Sequence, residues 1–262
     1  MVGNSDYVDS AMDLAGPTRD ATGVADALRT RGADVTLLTD ATHEQLIGAV
    51  DAFVAALGPN DQAVFYYAGH SFVVEEENGA LGVRLVPVDF VRLPTETARE
   101  GAGSVRRRIR MRKFGTVLPG IRLDAAPGTL SLNGLIASLV ARGSGLNFVM
   151  LDGSTSGPQA EPASLPLGGL TASMAGATVV WFAAAPGTAV LDTVNGSPGM
   201  GALAVALTEG LHSREGAPDL TLLFRHVAAR VVDLTNGQQR PVRWDSTVLP
   251  PVLHLAPGEF AE

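Results

Sequence analysis

Apolar positions along the chain follow two alternating periods, one typical of helices and one of buried strands. Helical spacing predicts helices over 20–31, 43–57, 132–142, 199–212 and 220–234. Short apolar runs predict strands over 33–38, 61–67, 83–88, 146–151, 177–184 and 252–255. Strands that alternate with helices of this length indicate a largely parallel sheet covered on both faces. The sequence therefore predicts an α/β fold with three layers.

Two of the predicted strands end in side chains that can carry chemistry. The run 63–67 leads into Gly69 and His70, and the run 146–151 leads into Asp152 and Ser154. In an open parallel sheet, ligands and catalytic groups collect beyond the carboxyl ends of the strands. The sequence therefore places a histidine, an acid and a hydroxyl at one edge of the sheet.

Composition narrows the class of protein. The chain has 262 residues, 46% of them hydrophobic, which is enough for one sizeable core. A net charge of −8 argues against non-specific nucleic-acid binding, and no apolar run approaches the roughly 18 residues of a membrane helix. The first residues lack the basic and apolar regions of a secretory signal, so we expect a cytoplasmic protein. Because the chain has no cysteine, disulfides and thiol chemistry are excluded.

Six collinear motifs together resemble the caspase-like domains of bacteria, in the clan of caspases, paracaspases and metacaspases (peptidase family C14). They are Gly3-Asn4-Ser5-Asp6-Tyr7, Thr18-Arg19-Asp20-Ala21, Tyr66-Tyr67-Ala68-Gly69-His70-Ser71, Leu151-Asp152-Gly153-Ser154, Ala185-Pro186-Gly187-Thr188 and Thr235-Asn236-Gly237-Gln238-Gln239-Arg240-Pro241. The resemblance implies a caspase-like fold with a mostly parallel, six-stranded sheet.

The first strand of that fold is short in this sequence. In the family an apolar strand precedes the motif that begins at Gly3, whereas only Met1 and Val2 precede it here. Either the true start lies upstream or the sheet closes without that strand. A missing central strand leaves ladder hydrogen bonds unpaired, so we expect another segment to compensate or the fold to be marginal.

The resemblance also implies roles for five residues. His70 takes the position of the general base, and Ser154 takes that of the family's cysteine nucleophile. The backbone amides of Gly69 and Ser154 are the candidates for an oxyanion hole. Asp20 and Asp152 match the acids that line a pocket for an arginine or lysine side chain. The alternative for Asp20 is an acid that stabilises a helix N-terminus.

The sequence is compatible with two functions. A hydroxyl is a much weaker nucleophile than a thiol and needs a base and an orienting group. The first interpretation is therefore a pseudopeptidase that binds basic side chains without cutting. The alternative is an active hydrolase that uses Ser154 with His70. We expect no cofactor and no metal, since the histidines outside this site lack metal-ligand spacing.

The remaining expectations concern organisation and partners. We predict one domain over 1–262, with a large-subunit-like half (1–154), a linker-like loop (155–169) and a small-subunit-like half (170–262). Residues 90–128 form a basic insertion, with seven of the 19 basic residues between Arg99 and Lys113. That segment is either a solvated charged hairpin or a ligand for the acidic pocket or for an acidic partner. We expect a peptide or protein partner with a basic side chain. Prolines before the strand predicted over 252–255 suit a protected edge and hence a monomer.

Overall fold

The computed structural model of the chain describes residues 1–75, 81–91, 108–113, 116–122, 128–156, 177–185, 187–194, 199–213 and 216–255. Its α-helices in this part of the chain are α1 (Pro17–Arg29), α2 (His43–Ala56), α3 (Leu132–Ala141), α4 (Ala202–His212) and α5 (Leu220–Leu234). Its strands are β1 (Val2–Gly3), β2 (Leu38–Thr39), β3 (Gln62–Ala68), β4 (Ser71–Glu75), β5 (Leu81–Leu85), β6 (Arg108–Lys113), β7 (Thr116–Arg122), β8 (Leu130–Ser131), β9 (Leu146–Asp152), β10 (Thr155–Ser156), β11 (Thr178–Phe182) and β12 (Val242–Asp245). None of the described helices is long and apolar enough to cross a membrane.

The centre of the fold is a six-stranded sheet in the order β12-β11-β9-β3-β1-β2. All neighbouring pairs are parallel except β11 and β12, which are antiparallel. Every residue of β9 is buried, as expected for a central strand with helices on both faces. The predicted fold class is therefore confirmed, including the short first strand, since β1 has only two residues.

Two apolar clusters cover the two faces of this sheet. On one face α1, α4 and α5 pack against Tyr66, Phe148 and Trp181, and the rings of Phe148 and Trp181 meet edge to face at 4.6 Å. On the other face α2 and α3 pack against Phe65 and Val149. The helices thus form the outer two of the three predicted layers.

Smaller sheets extend the fold beyond this core. Strands β10, β4, β5 and β8 form a four-stranded sheet, and β6 pairs with β7 in an antiparallel hairpin. The hairpin lies within the predicted basic insertion, of which residues 92–107, 114–115 and 123–127 are outside the described part. Of the predicted linker 155–169, Thr155 and Ser156 form β10, and residues 157–169 are likewise outside it.

Two strand predictions are wrong. The segment 33–38 forms a ladder only from Leu38, because β1 offers just Val2 and Gly3 as partners. The apolar run 252–255 is not a strand of the sheet: Val252 makes one bridge to Asp219, and Leu253 packs into the core near α5. The last strand among the described residues is β12, so the argument for a monomer from prolines before a strand at 252–255 no longer applies.

Helix α5 provides a test of how local sequence fixes these elements. Asp219 precedes the helix, and its Oδ1 accepts hydrogen bonds from the amides of Thr221 (2.7 Å) and Leu222 (3.1 Å). We expect Asp219→Ala to lower the free energy of unfolding by about 1 kcal/mol, because two helical amides lose their acceptor. Urea denaturation measures this change. The exposed Asp233 of the same helix supplies the control, and equal losses in Asp219→Ala and Asp233→Ala would contradict the capping role.

Candidate functional site

Strands β3 and β9 end side by side at the carboxyl edge of the sheet. Their register pairs Ala68 with Asp152, so the loops that follow both strands emerge together. Strand β10 then pairs with the start of β4, and the hydroxyls of Ser71 and Thr155 lie 2.9 Å apart. The structure therefore brings His70 and Ser154 into one pocket.

Close approach of the two loops depends on glycine at two positions. A Cβ atom on Gly153 would lie 2.1 Å from the carbonyl oxygen of Gly69, far inside van der Waals contact. Gly69 itself has φ +147°, and a Cβ there would lie 2.8 Å from the Tyr67 hydroxyl oxygen. The backbone can thus turn sharply before His70, as the sequence predicts for this glycine.

The side chain of His70 is buried and held in a defined orientation. Its Nε2 lies 2.7 Å from the carbonyl oxygen of Met12, which can only accept a hydrogen bond. Nε2 therefore carries the proton, and the basic lone pair belongs to Nδ1. The His70 backbone amide donates to the Tyr7 hydroxyl at 3.0 Å, and the ring of Tyr7 lies 5.0 Å from the imidazole. Tyr7 belongs to the first motif, but the sequence alone gave neither it nor Met12 a role.

The hydroxyl of Ser154 is engaged with a loop from the other half of the chain. Its Oγ accepts a hydrogen bond of 2.8 Å from the Val190 amide. Since Oγ is the acceptor here, its proton remains available for a second partner. The amide of Gly69 donates to the carbonyl of Asp152 over 3.4 Å, so a role in an oxyanion hole requires this long bond to break. The role of Ser154 as a nucleophile and that of the Gly69 amide in an oxyanion hole both stay predictions.

Asp20 and Asp152 are buried at the N-terminus of α4. Asp20 Oδ1 accepts a hydrogen bond of 2.7 Å from the Gly201 amide, and the Ala204 amide bonds to Asp152. The Tyr66 hydroxyl donates to Asp152 Oδ2 at 2.6 Å. Helix α4 has no capping side chain of its own, so these two acids satisfy its first amides from α1 and β9.

Burial sets the protonation of this pair. It raises the pKa of Asp20 to about 9, with the Asp152 carboxylate as the second cause and the Gly201 amide opposing it. It also raises the pKa of Asp152 to about 6, against hydrogen bonds from the Tyr66 hydroxyl and the Ala204 amide. At neutral pH the two acids together therefore carry less than two negative charges.

A third acid, Asp192, lies at the same pocket. The pocket is lined by Leu14, Pro17, Asp20, Gly69, His70, Asp152, Gly153, Ser154, Val190, Leu191 and Asp192. Its volume of about 20 Å³ holds roughly one water molecule. Asp192 also accepts a hydrogen bond of 3.1 Å from the Ala15 amide, which ties its loop to the start of α1. No sequence signal pointed to Asp192, because it lies outside the six motifs.

The described residues place no basic side chain within 4.0 Å of either Asp20 or Asp152. Nor do they contain a group of three histidine or acidic residues that could hold a metal ion. Asp20 and Asp152 therefore form no ion pair with a described side chain, although the charge of Arg19 acts to lower the pKa of Asp20.

Comparisons with known proteins agree with this architecture. The family model of the peptidase C14 caspase domain matches residues 1–113. A protein from Geobacter sulfurreducens shares 16% identity with a TM-score of 0.59, over 100% of this chain and 97% of its own. Caspase-1 from Spodoptera frugiperda shares 14% identity with a TM-score of 0.54, over 100% of this chain and 90% of its own. No curated protein sequence matches the chain.

The first 113 residues thus match the family model of the caspase domain, and the fold of the whole chain is similar to that of the caspase. At these identities the likeness to the solved structures shows the fold alone. The family match ends before Asp152 and Ser154, so it does not bear on the nucleophile position.

The acid pair predicts an unusual dependence of stability on pH. Because folding raises the pKa of Asp20, the contribution of this residue to stability is fully favourable only below its pKa in the unfolded chain, which is near 4. This contribution is lost as pH rises towards about 9. Asp20→Asn keeps an acceptor for Gly201 and has no charge to bury, so we expect it to be more stable than the parent at pH 8, by on the order of 3 kcal/mol.

Urea unfolding at pH 5, 7 and 9 measures this effect. The difference between Asp20→Asn and the parent should grow with pH, whereas that for Asp51→Asn, an exposed acid on α2, should stay small. A constant difference for Asp20→Asn across this range would contradict a raised pKa.

Proposed function

We propose that this caspase-like domain binds an arginine or lysine side chain in the pocket of Asp20, Asp152 and Asp192 and does not cleave the peptide that carries it. The observation that carries the proposal is the pair of buried carboxylates without a described cationic partner. A guanidinium placed between them would make charge-assisted hydrogen bonds and offset the cost of their burial. Binding would thus be favoured because it relieves the electrostatic cost of burying the two carboxylates in the empty pocket.

Entry of such a side chain requires the loop of 190–192 to move. The pocket has room for only about one water molecule. The hydrogen bonds that hold this loop include those from the Val190 amide to Ser154 Oγ, from the Leu191 amide to Gln239 Oε1 at 3.2 Å, and from the Ala15 amide to Asp192 Oδ2. Only the bond to Asp192 involves a charged group. Each bond therefore contributes a modest free energy, which the interactions of a bound cation can offset.

The absence of cleavage follows from the chemistry of the nucleophile position. The chain has no cysteine, and Ser154 lines the same pocket as His70. A serine hydroxyl must lose its proton to a base whose resulting charge is stabilised by a third group. Here that third group is the Met12 carbonyl, an uncharged dipole, where efficient serine hydrolases use a carboxylate. Hydrolysis by Ser154 would therefore be slow.

A second candidate function is hydrolysis by Ser154 itself. The lone pair of His70 Nδ1 and the remaining proton of Ser154 Oγ favour it, because a proton transfer between them would activate the hydroxyl. In that reaction Oγ attacks the peptide carbonyl, Nδ1 takes the proton and later delivers it to the leaving amine.

Peptidase assays distinguish the two candidates. With fluorogenic peptides ending in arginine or lysine, we expect no turnover by the parent chain and measurable turnover by Ser154→Cys, because a thiol ionises without a strong base. His70→Ala in the Ser154→Cys background should abolish that turnover. Cleavage by the parent chain that His70→Ala removes would instead establish the serine hydrolase.

Binding to the pocket is tested independently of chemistry. We expect a blocked arginine peptide to bind the parent chain at least about tenfold more tightly than its citrulline counterpart, which has the same shape without the charge. Asp152→Asn should remove that difference, and Asp51→Asn should leave it unchanged. Calorimetry measures both affinities.

Equal affinity for the arginine and citrulline peptides would contradict an acid-driven pocket. A synthetic peptide of residues 106–113 adds a further arm, since it carries the basic segment of the chain itself. If it competes with the arginine peptide, the chain's own segment is a ligand for the pocket.

A further inference from the structure

The last of the six sequence motifs begins at Thr235, the residue that follows α5. Asn236 and Gly237 have φ of +50° and +78°, and these left-handed residues reverse the chain directly after the helix. The hydroxyl of Thr235 donates to the carbonyl of Val231 at 2.7 Å and accepts a hydrogen bond from the Gln239 amide at 3.1 Å. The turn thus returns Gln239 to the end of α5, where its side chain is fully buried.

The side-chain amide of Gln239 joins the two ends of one connection. Its Nε2 donates to the carbonyl oxygen of Ala183 at 3.1 Å, and its Oε1 accepts a hydrogen bond from the Leu191 amide at 3.2 Å. A carbonyl oxygen only accepts and a backbone amide only donates, so these partners fix the orientation of the side chain. Ala183 follows β11 and Leu191 belongs to the loop of 190–192. One buried side chain therefore ties this loop to the end of the sheet.

The loop lies tightly against the acidic pocket. Its Val190 amide donates to Ser154 Oγ, and its Asp192 side chain accepts a hydrogen bond from the Ala15 amide. A Cβ atom on Gly16, just before α1, would clash with the carbonyl oxygen of Asp192. The remaining pocket volume is only about 20 Å³. The loop therefore closes the pocket.

Gln239 differs from the other partners of the loop in its position. Ser154 and Asp192 line the pocket, so a ligand that enters can replace their hydrogen bonds. Gln239 is fully buried and is not among the described residues that line the pocket. When the loop opens, its side-chain oxygen loses the Leu191 amide inside the protein, which costs free energy. Gln239 therefore favours the closed loop without contacting the ligand.

We propose that Gln239 is a positioning residue that holds the loop of 190–192 closed over the acidic pocket and thereby limits the rate at which a basic side chain enters. The limit on entry rests on the proposed function, whereas the closed loop does not. The end of α5 is thereby connected to the pocket through one buried amide. The carboxyl-terminal half of the chain would thus control access to Asp20 and Asp152.

Hydrogen exchange without ligand tests the hold on the loop. Gln239→Met keeps the length of the side chain and removes both hydrogen bonds. The readout is the Val190 amide, because its own acceptor, Ser154 Oγ, is unchanged in the variant. We expect Val190 to exchange about fivefold faster, since one lost hydrogen bond shifts the opening equilibrium by about this factor. The same change at the exposed neighbour, Gln238→Met, should leave the exchange of Val190 unchanged.

A merely structural role for Gln239 predicts a different result. Val227 is buried on α5 and packs against Gly210 of α4. Val227→Ala should lower the free energy of unfolding without changing exchange at Val190, because the loop opens locally. Equal acceleration in Val227→Ala, or unchanged exchange in Gln239→Met, would overturn the proposal. If Gln239→Met does not fold, Gln239→Asn takes its place with the same expected result, since its amide is one methylene too short to reach both partners.

Association of the blocked arginine peptide measures entry into the pocket. In stopped-flow mixing we expect Gln239→Met to associate about fivefold faster than the parent and Gln238→Met, because its loop is open more often. Equal association rates despite faster exchange at Val190 would overturn the control of entry. If the parent does not bind the peptide, the proposed function fails and the control of entry fails with it. The exchange rates at Val190 then still decide whether Gln239 holds the loop.

Discussion

The structure depends on two buried carboxyl groups that share one site. Asp20 comes from α1 and Asp152 from the end of β9, and both meet the first amides of α4. This junction joins the amino-terminal half of the chain, the central strand and the first helix of the carboxyl-terminal half. Burial and the closeness of the two acids both disfavour their charged forms. Charging this pair therefore costs free energy in the folded chain. Such a cost is typical of binding sites.

The rest of the pocket follows from the ends of β3 and β9. The glycines at 69 and 153 let the two loops touch, and the Ser71–Thr155 contact holds them together. Tyr7 and Met12 fix the histidine through groups that cannot supply a negative charge. His70 and Ser154 thus line one pocket, while the driving force for a hydroxyl nucleophile there is weak. We therefore propose that the pocket recognises a cation and does not cleave a bond.

Much of this could be predicted from the sequence. The helix over 220–234 has the predicted bounds, and the mostly apolar run 146–151 correctly indicated a strand of the parallel sheet. Predictions failed where distant partners decide the outcome. The run 252–255 is apolar because it packs near α5, and 33–37 lacks a ladder because β1 is too short. The roles of Met12, Val190 and Asp192 arise from backbone contacts or loop position, which leave no side-chain pattern to read.

We infer that at least one carboxyl group of the empty pocket is protonated and that a bound cation displaces its proton. Carbon NMR of the chain labelled at its aspartate carboxyl carbons measures this directly, with Asp20→Asn and Asp152→Asn to assign the signals. The account predicts that Asp20 is protonated at pH 7 and becomes ionised on addition of agmatine, a small guanidinium compound. Titration of both groups below pH 5 in the empty pocket, with no response to agmatine, would contradict it.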